Sequence, residues 1–417
     1  MSAALIIEGG RPLQGEVHVH GAKNSALPIL AAAILAPGES VIHNCPPLSD
    51  VNASLEILRH LGCRVQQEGD TVTVNAAAPI RCDVPDSLMR EMRSSVIFLG
   101  AILGRMGEAE LSLPGGCELG PRPIDLHLEA IRALGGIVEE TGGRICCRGG
   151  LRGREIFFAR SSVGATENAM LAAVAANGTT VLCNAAREPE IVDLQGFLRA
   201  MGASVRGAGT SMVVIEGGRP LRGGEYTVMG DRIVASTYLA AAAAAGGDIT
   251  VTGADPRHLS PVTAVLAEAG CAVHSEGDAV HLRREGPLRG SRPIHTAPYP
   301  GFPTDAQPPL MAALSRGEGT TVFVENIFES RYRHVDELRR MGADISVAGR
   351  VAVVTGVERL LGASVRSTDL RGGAALLVAG LSAEGDTCIG DIHHIRRGYE
   401  DPVRDLRKLG ADIRLEQ

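Results

Sequence analysis

The chain has 417 residues, 45% of them hydrophobic and 21% charged, so it can bury substantial cores and its length predicts about two domains. A net charge of -7, with 7 Phe, 5 Tyr and no Trp, argues against a nucleic-acid binder, which needs a basic face and aromatic platforms. The apolar runs LPILAAAILA and YLAAAAAA fall short of the ~20 residues that cross a bilayer, and MSAALIIEGG lacks the n- and h-regions of a signal peptide, so a cytoplasmic protein without a membrane span is expected.

Along the chain, one succession of elements returns. Strands at the N-terminus precede a helix that begins near Lys23. The strand ESVIHN follows, then a helix that closes on LRHLGCRV and gives way to the alternating VQQEGDTVTV. The closing phrase recurs as IRALGGIV, LRAMGASV, LAEAGCAV, LRRMGADI and LRKLGADI. Its glycines, Gly62, Gly135, Gly202, Gly270, Gly342 and Gly410, lie 73, 67, 68, 72 and 68 residues apart. Each phrase reads as a helix ended by a C-terminal glycine and followed by a strand. With strands such as TTVLCN, GDITVTG and TTVFVEN, the unit is βαβαββ and there are six of them.

LIIEGGRPLQGEVHVHGAK (5 to 23) matches VVIEGGRPLRGGEYTVMGDR (213 to 232), while the last unit stops at GADIRLEQ. Residues 230–417 number 188, short of three units, whereas adding residues 1–21 gives 209, against 208 for residues 22–229. A discontinuous domain of 1–21 plus 230–417 and a second domain of 22–229 are therefore expected. Two chain crossings near 22 and 229 would form a hinge around a cleft.

The first helix of each unit begins near Lys23, Arg93, Gly164, Arg232, Asp305 and Arg371. A cation in the first turn opposes the helix dipole, so Lys23, Arg93, Arg232 and Arg371 are poor choices for helix stability. Combined with free helical N–H groups they suit anions. For each one taken alone, a solvated surface charge is the simpler reading, and recurrence at equivalent positions weighs against it. The stretch LSLPGGCELGPRPIDL (111 to 126) is a shaped loop that presents Cys117, in the second domain. There is no P-loop, no GxGxxG after a strand and no HExxH, and the nine cysteines form no CxxC pair, so reduced thiols are expected and a zinc site is not. His18 and His20 alternate along a strand and read as structural; His393 and His394 are open.

GAKNSALPILAA (21 to 32), PGGCELGPRPIDLH (114 to 127), SVGATENAMLAA (162 to 173), NAAREPEIVDL (184 to 194), YPGFPTDAQ (299 to 307), IFESRYRHVDELRRMGA (327 to 343) and IRRGYE (395 to 400) resemble the UDP-N-acetylglucosamine 1-carboxyvinyltransferase family, in order and over nearly the whole chain. The resemblance implies the two-domain enolpyruvyl-transferase fold, an inside-out α/β barrel of six βαβαββ repeats, three per domain, with helices inside and sheets outside. It implies a transferase of peptidoglycan synthesis, with consequences for cell-wall biogenesis, cell shape and division. The enolpyruvyl group of phosphoenolpyruvate would pass to the 3′-hydroxyl of UDP-N-acetylglucosamine through a tetrahedral intermediate, releasing phosphate, with no cofactor and no metal.

Carried over residue by residue, the resemblance assigns Lys23, Asn24, Arg122 and Arg397 to phosphoenolpyruvate. Cys117 becomes a proton donor in a closing loop and Asp305 the group that takes a proton from the sugar hydroxyl. Arg93, Arg122, Pro123, Ile124, Asp125, Leu126, Arg160, Ser161, Ser162, Val163, Asp305 and Ile327 fall to the sugar nucleotide, and Arg371 joins the substrate-binding set. A loop thiol among arginines suits attack by electrophilic epoxides such as fosfomycin. The sequence departs from the family where Arg160 replaces a common lysine, Arg396 an acid, and Gly372-Gly373 a small polar run. The alternatives are a 3-phosphoshikimate 1-carboxyvinyltransferase and a non-catalytic UDP-sugar-binding regulator. Oligomeric state is left open between monomer and weak oligomer.

Overall fold

The computed structural model describes residues 3–113 and 124–416, with the side chain of Arg93 excepted. Cys117, Arg122 and Pro123 lie outside the described residues.

All six repeat glycines have positive φ, from 91° at Gly410 to 102° at Gly62 and Gly270. This is the left-handed region open to glycine at little cost, and it turns each helix into its following strand. The pairs that come next form tight hairpins, such as Arg64–Glu68 with Thr71–Asn75 and Asp344–Ala348 with Val351–Thr355.

Among the described residues there are six four-stranded sheets, one for each repeat. A sheet has its first strand parallel to the second, and the hairpin antiparallel beside them. The repeat of residues 294–355 shows the pattern: Ile294–His295 runs parallel to Thr320–Val324, which pairs antiparallel with Val351–Thr355. None of these sheets closes on itself among the described residues.

The described residues divide into two compact units, one of residues 3–20 with 230–416, the other of 21–113 with 124–229. In the first unit the N-terminal strands fill vacancies left by the chain order. Ala4–Glu8 lies between Asp386–Gly390 and Asp412–Glu416, and Leu13–His18 runs parallel to Gly247–Thr252. In the second unit Glu225–Thr227 plays the part of Leu13–His18, pairing parallel with Glu39–His43. The two matching sequence segments thus occupy equivalent places in their units.

The first helices of the repeats are buried nearly all round and pack on one another. In the first unit Arg232–Ala245, Gln307–Leu314 and Leu370–Ser382 meet pairwise. In the second, Phe98–Met106 packs on both Lys23–Ala32 and Val163–Ala173. Alanine and glycine at the contacts permit this close approach, and an all-round apolar surface leaves such a helix no stable place but the interior. The sheets cover these helices with one face and turn the other outward, so each unit has its own core. No helix among the described residues is long and apolar enough to cross a membrane.

Candidate active site

In the second unit, Lys23 opens the helix Lys23–Ala32 and is buried, with its Nζ 3.1 Å from Oδ2 of the buried Asp50. Asp50 stands in the first turn of the helix Ser49–Leu61. A buried ammonium needs a countercharge to offset desolvation, so the surface-charge reading of Lys23 fails. Asn24, the next residue, is exposed. Arg93 opens a short 3₁₀ turn, Arg93–Ile97.

The structure brings Asp125, Arg160 and the turn at 161–163 together in the same unit. Arg160 Nη2 lies 2.9 Å from both oxygens of Asp125, a pair exposed to solvent. Ser162 caps the helix Val163–Ala173, its hydroxyl accepting from the Ala165 N–H at 3.4 Å. The helices Asp125–Ala133 and Val163–Ala173 approach where Gly164 meets the ring of His127. Val163 and Ile124 are half-buried, whereas Leu126 is buried in the core.

The first unit holds a larger constellation. Asp305, in the 3₁₀ turn Thr304–Ala306, accepts from two arginines: Arg331 Nη2 at 2.8 Å on Oδ1, and Arg371 Nε at 3.2 Å on Oδ2. Arg331 is 1% exposed and also donates to the Thr304 carbonyl from Nε and Nη2 at 3.1 and 2.9 Å. Asp369 lies 3.9 Å from Arg331 Nη1 and accepts from the backbone N–H of Arg371 and Gly372 at 3.0 and 3.1 Å.

Asp369 answers the dipole objection to Arg371, because a carboxylate at the N-cap supplies the charge that the helix end prefers. Asp231 does the same for the buried Arg232, accepting from the N–H groups of Ile233 and Val234 at 2.8 and 3.1 Å. Arg371 itself reaches Tyr399 Oη at 3.3 Å, and the hydroxyls of Tyr399 and Thr237 are 2.8 Å apart. Burial opposes the charge on Arg371, but Asp305, Tyr399 and Asp231 outweigh it and hold its pKa above the ordinary value.

Fully buried His334 sits beside this group with Nδ1 3.2 Å from the Arg331 carbonyl. Burial pushes its pKa down to about 4, Arg331 pushes the same way, and Asp369 opposes without prevailing. It is therefore neutral. Burial works to raise the Asp369 carboxyl, but Arg331 and the two backbone amides outweigh it and keep the group ionised.

Ile327 is presented by a turn that the buried Glu325 organises, accepting from the N–H groups of Ile327 and Phe328 at 2.8 and 3.0 Å and from the Thr304 hydroxyl at 3.0 Å. Arg397 ends the 3₁₀ turn Ile395–Arg397, which packs on the Arg371 helix. Arg331 and Asp369 were not singled out by the sequence reading, and RYRHVDEL gives no local mark that separates the buried Arg331 from the exposed Arg333. No group of three or more metal-ligating side chains occurs among the described residues.

This architecture is that of the enolpyruvyl transferases. The enolpyruvyl transferase NikO from Streptomyces tendae superposes with a TM-score of 0.88 at 29% identity, covering 99% of both chains. EPSP synthase from Acinetobacter baumannii superposes with a TM-score of 0.76 at 21% identity over 100% of both chains, a likeness of fold. The sequence model of the EPSP synthase (3-phosphoshikimate 1-carboxyvinyltransferase) family matches residues 7–413. Within that class, UDP-N-acetylglucosamine 1-carboxyvinyltransferase 2 of Caldanaerobacter subterraneus subsp. tengcongensis is 52% identical over 98% of both chains. UDP-N-acetylglucosamine 1-carboxyvinyltransferase 1 of Symbiobacterium thermophilum is also 52% identical, over 98% of this chain and 94% of its own. The chain belongs to the UDP-N-acetylglucosamine 1-carboxyvinyltransferase family of enolpyruvyl transferases.

Proposed function

We infer that the protein transfers the enolpyruvyl group of phosphoenolpyruvate to the 3′-hydroxyl of UDP-N-acetylglucosamine and releases phosphate. The observation that carries this is the 52% identity, spread along 98% of the chain, to relatives bearing that activity in their names. The reaction belongs in the cytoplasm, at the committed step of peptidoglycan synthesis.

In this reading the sugar oxygen forms a bond to C2 of phosphoenolpyruvate while its proton passes to Asp305, and Cys117 delivers a proton to the methylene carbon. The tetrahedral adduct then loses one hydrogen of its new methyl group as a proton to the Cys117 thiolate, that C–H electron pair re-forms the C2–C3 double bond, and the C2–O bond breaks with its electrons leaving on phosphate, which takes up the proton held by Asp305. Asp305 suits its task because Arg331 and Arg371 fix both oxygens, yet 27% of its side chain stays exposed. A positioned carboxylate of this kind acts as a general base.

The cations match a substrate with a carboxylate beside a phosphate, for which arginine gives forked and lysine point-charge contacts. We assign Lys23, Asn24, Arg122 and Arg397 to phosphoenolpyruvate, and add Arg331 to Arg371 as buried cations facing its charge. Arg93, Arg122, Pro123, Ile124, Asp125, Leu126 through its backbone, Arg160, Ser161, Ser162, Val163 and Ile327 are assigned to the sugar nucleotide. The chain crossings near 22 and 229 are the hinge of domain closure, and a thiol at Cys117 is alkylated by fosfomycin.

Phosphate release from phosphoenolpyruvate, measured with UDP-N-acetylglucosamine, with shikimate 3-phosphate and with neither, tests the acceptor. Release is expected with the sugar nucleotide alone. Release with shikimate 3-phosphate, or binding of UDP-N-acetylglucosamine without any release, would refute the reading.

A further inference from the structure

The helix that carries Lys23 lacks the side-chain cap that three of its five counterparts have. Ser162, Asp231 and Asp369 each cap their own first helices with a side chain, whereas this helix starts on Ala22, which has none to offer. It also places a cation where the dipole is least favourable to one. Something else has to fix its first turn.

That group is Asp193, from the helix Pro189–Ala200 of a different repeat. Its Oδ2 accepts a hydrogen bond from the Ser25 hydroxyl and another from the Met229 N–H at 3.1 Å, and its Oδ1 accepts from the Tyr226 hydroxyl at 2.7 Å. Ser25 is three residues past the chain crossing near 22 and Met229 lies at the other. The crossings are joined again by the Ala22 N–H, which donates to the Met229 carbonyl at 2.7 Å. Tyr226 is seated by an edge contact with Phe197, ring centroids 5.8 Å apart, and by Gly196, where a Cβ would fall 2.3 Å from the Tyr226 oxygen. The arrangement leaves no slack around the carboxylate.

Asp193 is 8% exposed, and burial pushes its pKa up despite the donors from Ser25, Tyr226 and Met229. An apolar residue of similar size would avoid that desolvation, so a buried carboxylate here calls for a reason beyond packing. The reason lies in what its three donors have in common: all belong to the segments that set where Lys23 and Asn24 point.

We propose that Asp193 is a positioning residue for phosphoenolpyruvate binding, tying the Lys23–Asn24 turn to the returning segment Tyr226–Met229. It acts through Lys23, so the proposal rests on the assignment of Lys23 to phosphoenolpyruvate. Ser25 is the link between them.

Steady-state kinetics of Asp193→Asn and Ser25→Ala in the full chain test this. Misplacing a binding cation by a fraction of an ångström is expected to raise the KM for phosphoenolpyruvate about tenfold in either variant, with the KM for UDP-N-acetylglucosamine changed less than about twofold. Ser25→Ala removes one small hydroxyl, so it gives the answer should Asp193→Asn fail to fold. Direct binding of phosphoenolpyruvate to Lys23→Ala and to Lys23→Ala/Ser25→Ala completes a cycle. Equal affinities for these two, both weaker than wild type, are expected if Ser25 and Asp193 act through Lys23. A Ser25→Ala variant with both KM values unchanged, or with both raised alike, overturns the proposal. If instead Lys23→Ala binds phosphoenolpyruvate as wild type does, the assignment of Lys23 is what fails.

Discussion

Asp305 keeps a quarter of its surface open while two almost wholly buried guanidinium groups hold its two oxygens. That combination fixes its direction and leaves one edge open, as the general base we propose would need. Asp305→Ala is expected to lower kcat by about 100-fold or more, in line with loss of a positioned general base. Cys117→Ser is expected to cost less. The comparison is made by phosphate release at saturating substrates, and an Asp305→Ala enzyme faster than Cys117→Ser contradicts the assignment. Lys23, Asp305 and Arg371 were legible in the sequence because each recurs at the start of a first helix. Arg331, Asp50 and Asp193 were not, because a buried charge is recognised by its partner, and the partners lie 26, 27 and 168 residues away.

At the scale of elements, the helix Val163–Ala173 carries a further buried carboxyl, Glu167, deep in the second unit. Burial pushes its pKa from 4.5 up to about 8, and Glu190 and Glu188 push in the same direction. The folded chain therefore holds this proton where the unfolded chain has released it, and stability contributed at low pH is lost as pH rises between those values. Glu167→Gln is expected to match wild type near pH 5 and to gain stability over it progressively toward pH 8, read from urea midpoints. A difference that does not change with pH counts against the buried neutral carboxyl. The elements themselves were the most legible level of this protein. The phrase LRxxGxxV and its variants announced helix, left-handed glycine and strand because all three depend on neighbouring residues only.

For the whole molecule, the chain begins and ends in the same sheet. Ala4 stands directly opposite Glu416 in an antiparallel ladder, the place where other repeats have a hairpin turn. A permuted chain that joins 416 to 4 through Asn-Gly and opens at the exposed Gly142-Gly143 turn keeps every ladder. It is expected to fold with an unchanged far-UV circular dichroism spectrum and to retain phosphate release within about threefold, as loop-tip permutations usually tolerate. By contrast, deleting residues 1–8 removes an inner strand and is expected to unfold the first unit. A permutant without helical signal would show that the strand Ala4–Glu8 is placed by something other than its ladder.

The sequence by itself determined the period, the six-fold βαβαββ content and the residue types suited to an anionic substrate, because turn glycines, alternation and helix starts are local physics. Only the tertiary structure decided which carboxylate meets which cation: Asp50 with Lys23, Asp305 between Arg331 and Arg371, Asp193 on Ser25, Tyr226 and Met229. Those pairings follow from how three repeats stack their buried helices, and a hydrogen bond spanning 168 residues leaves no trace in the spacing of either partner.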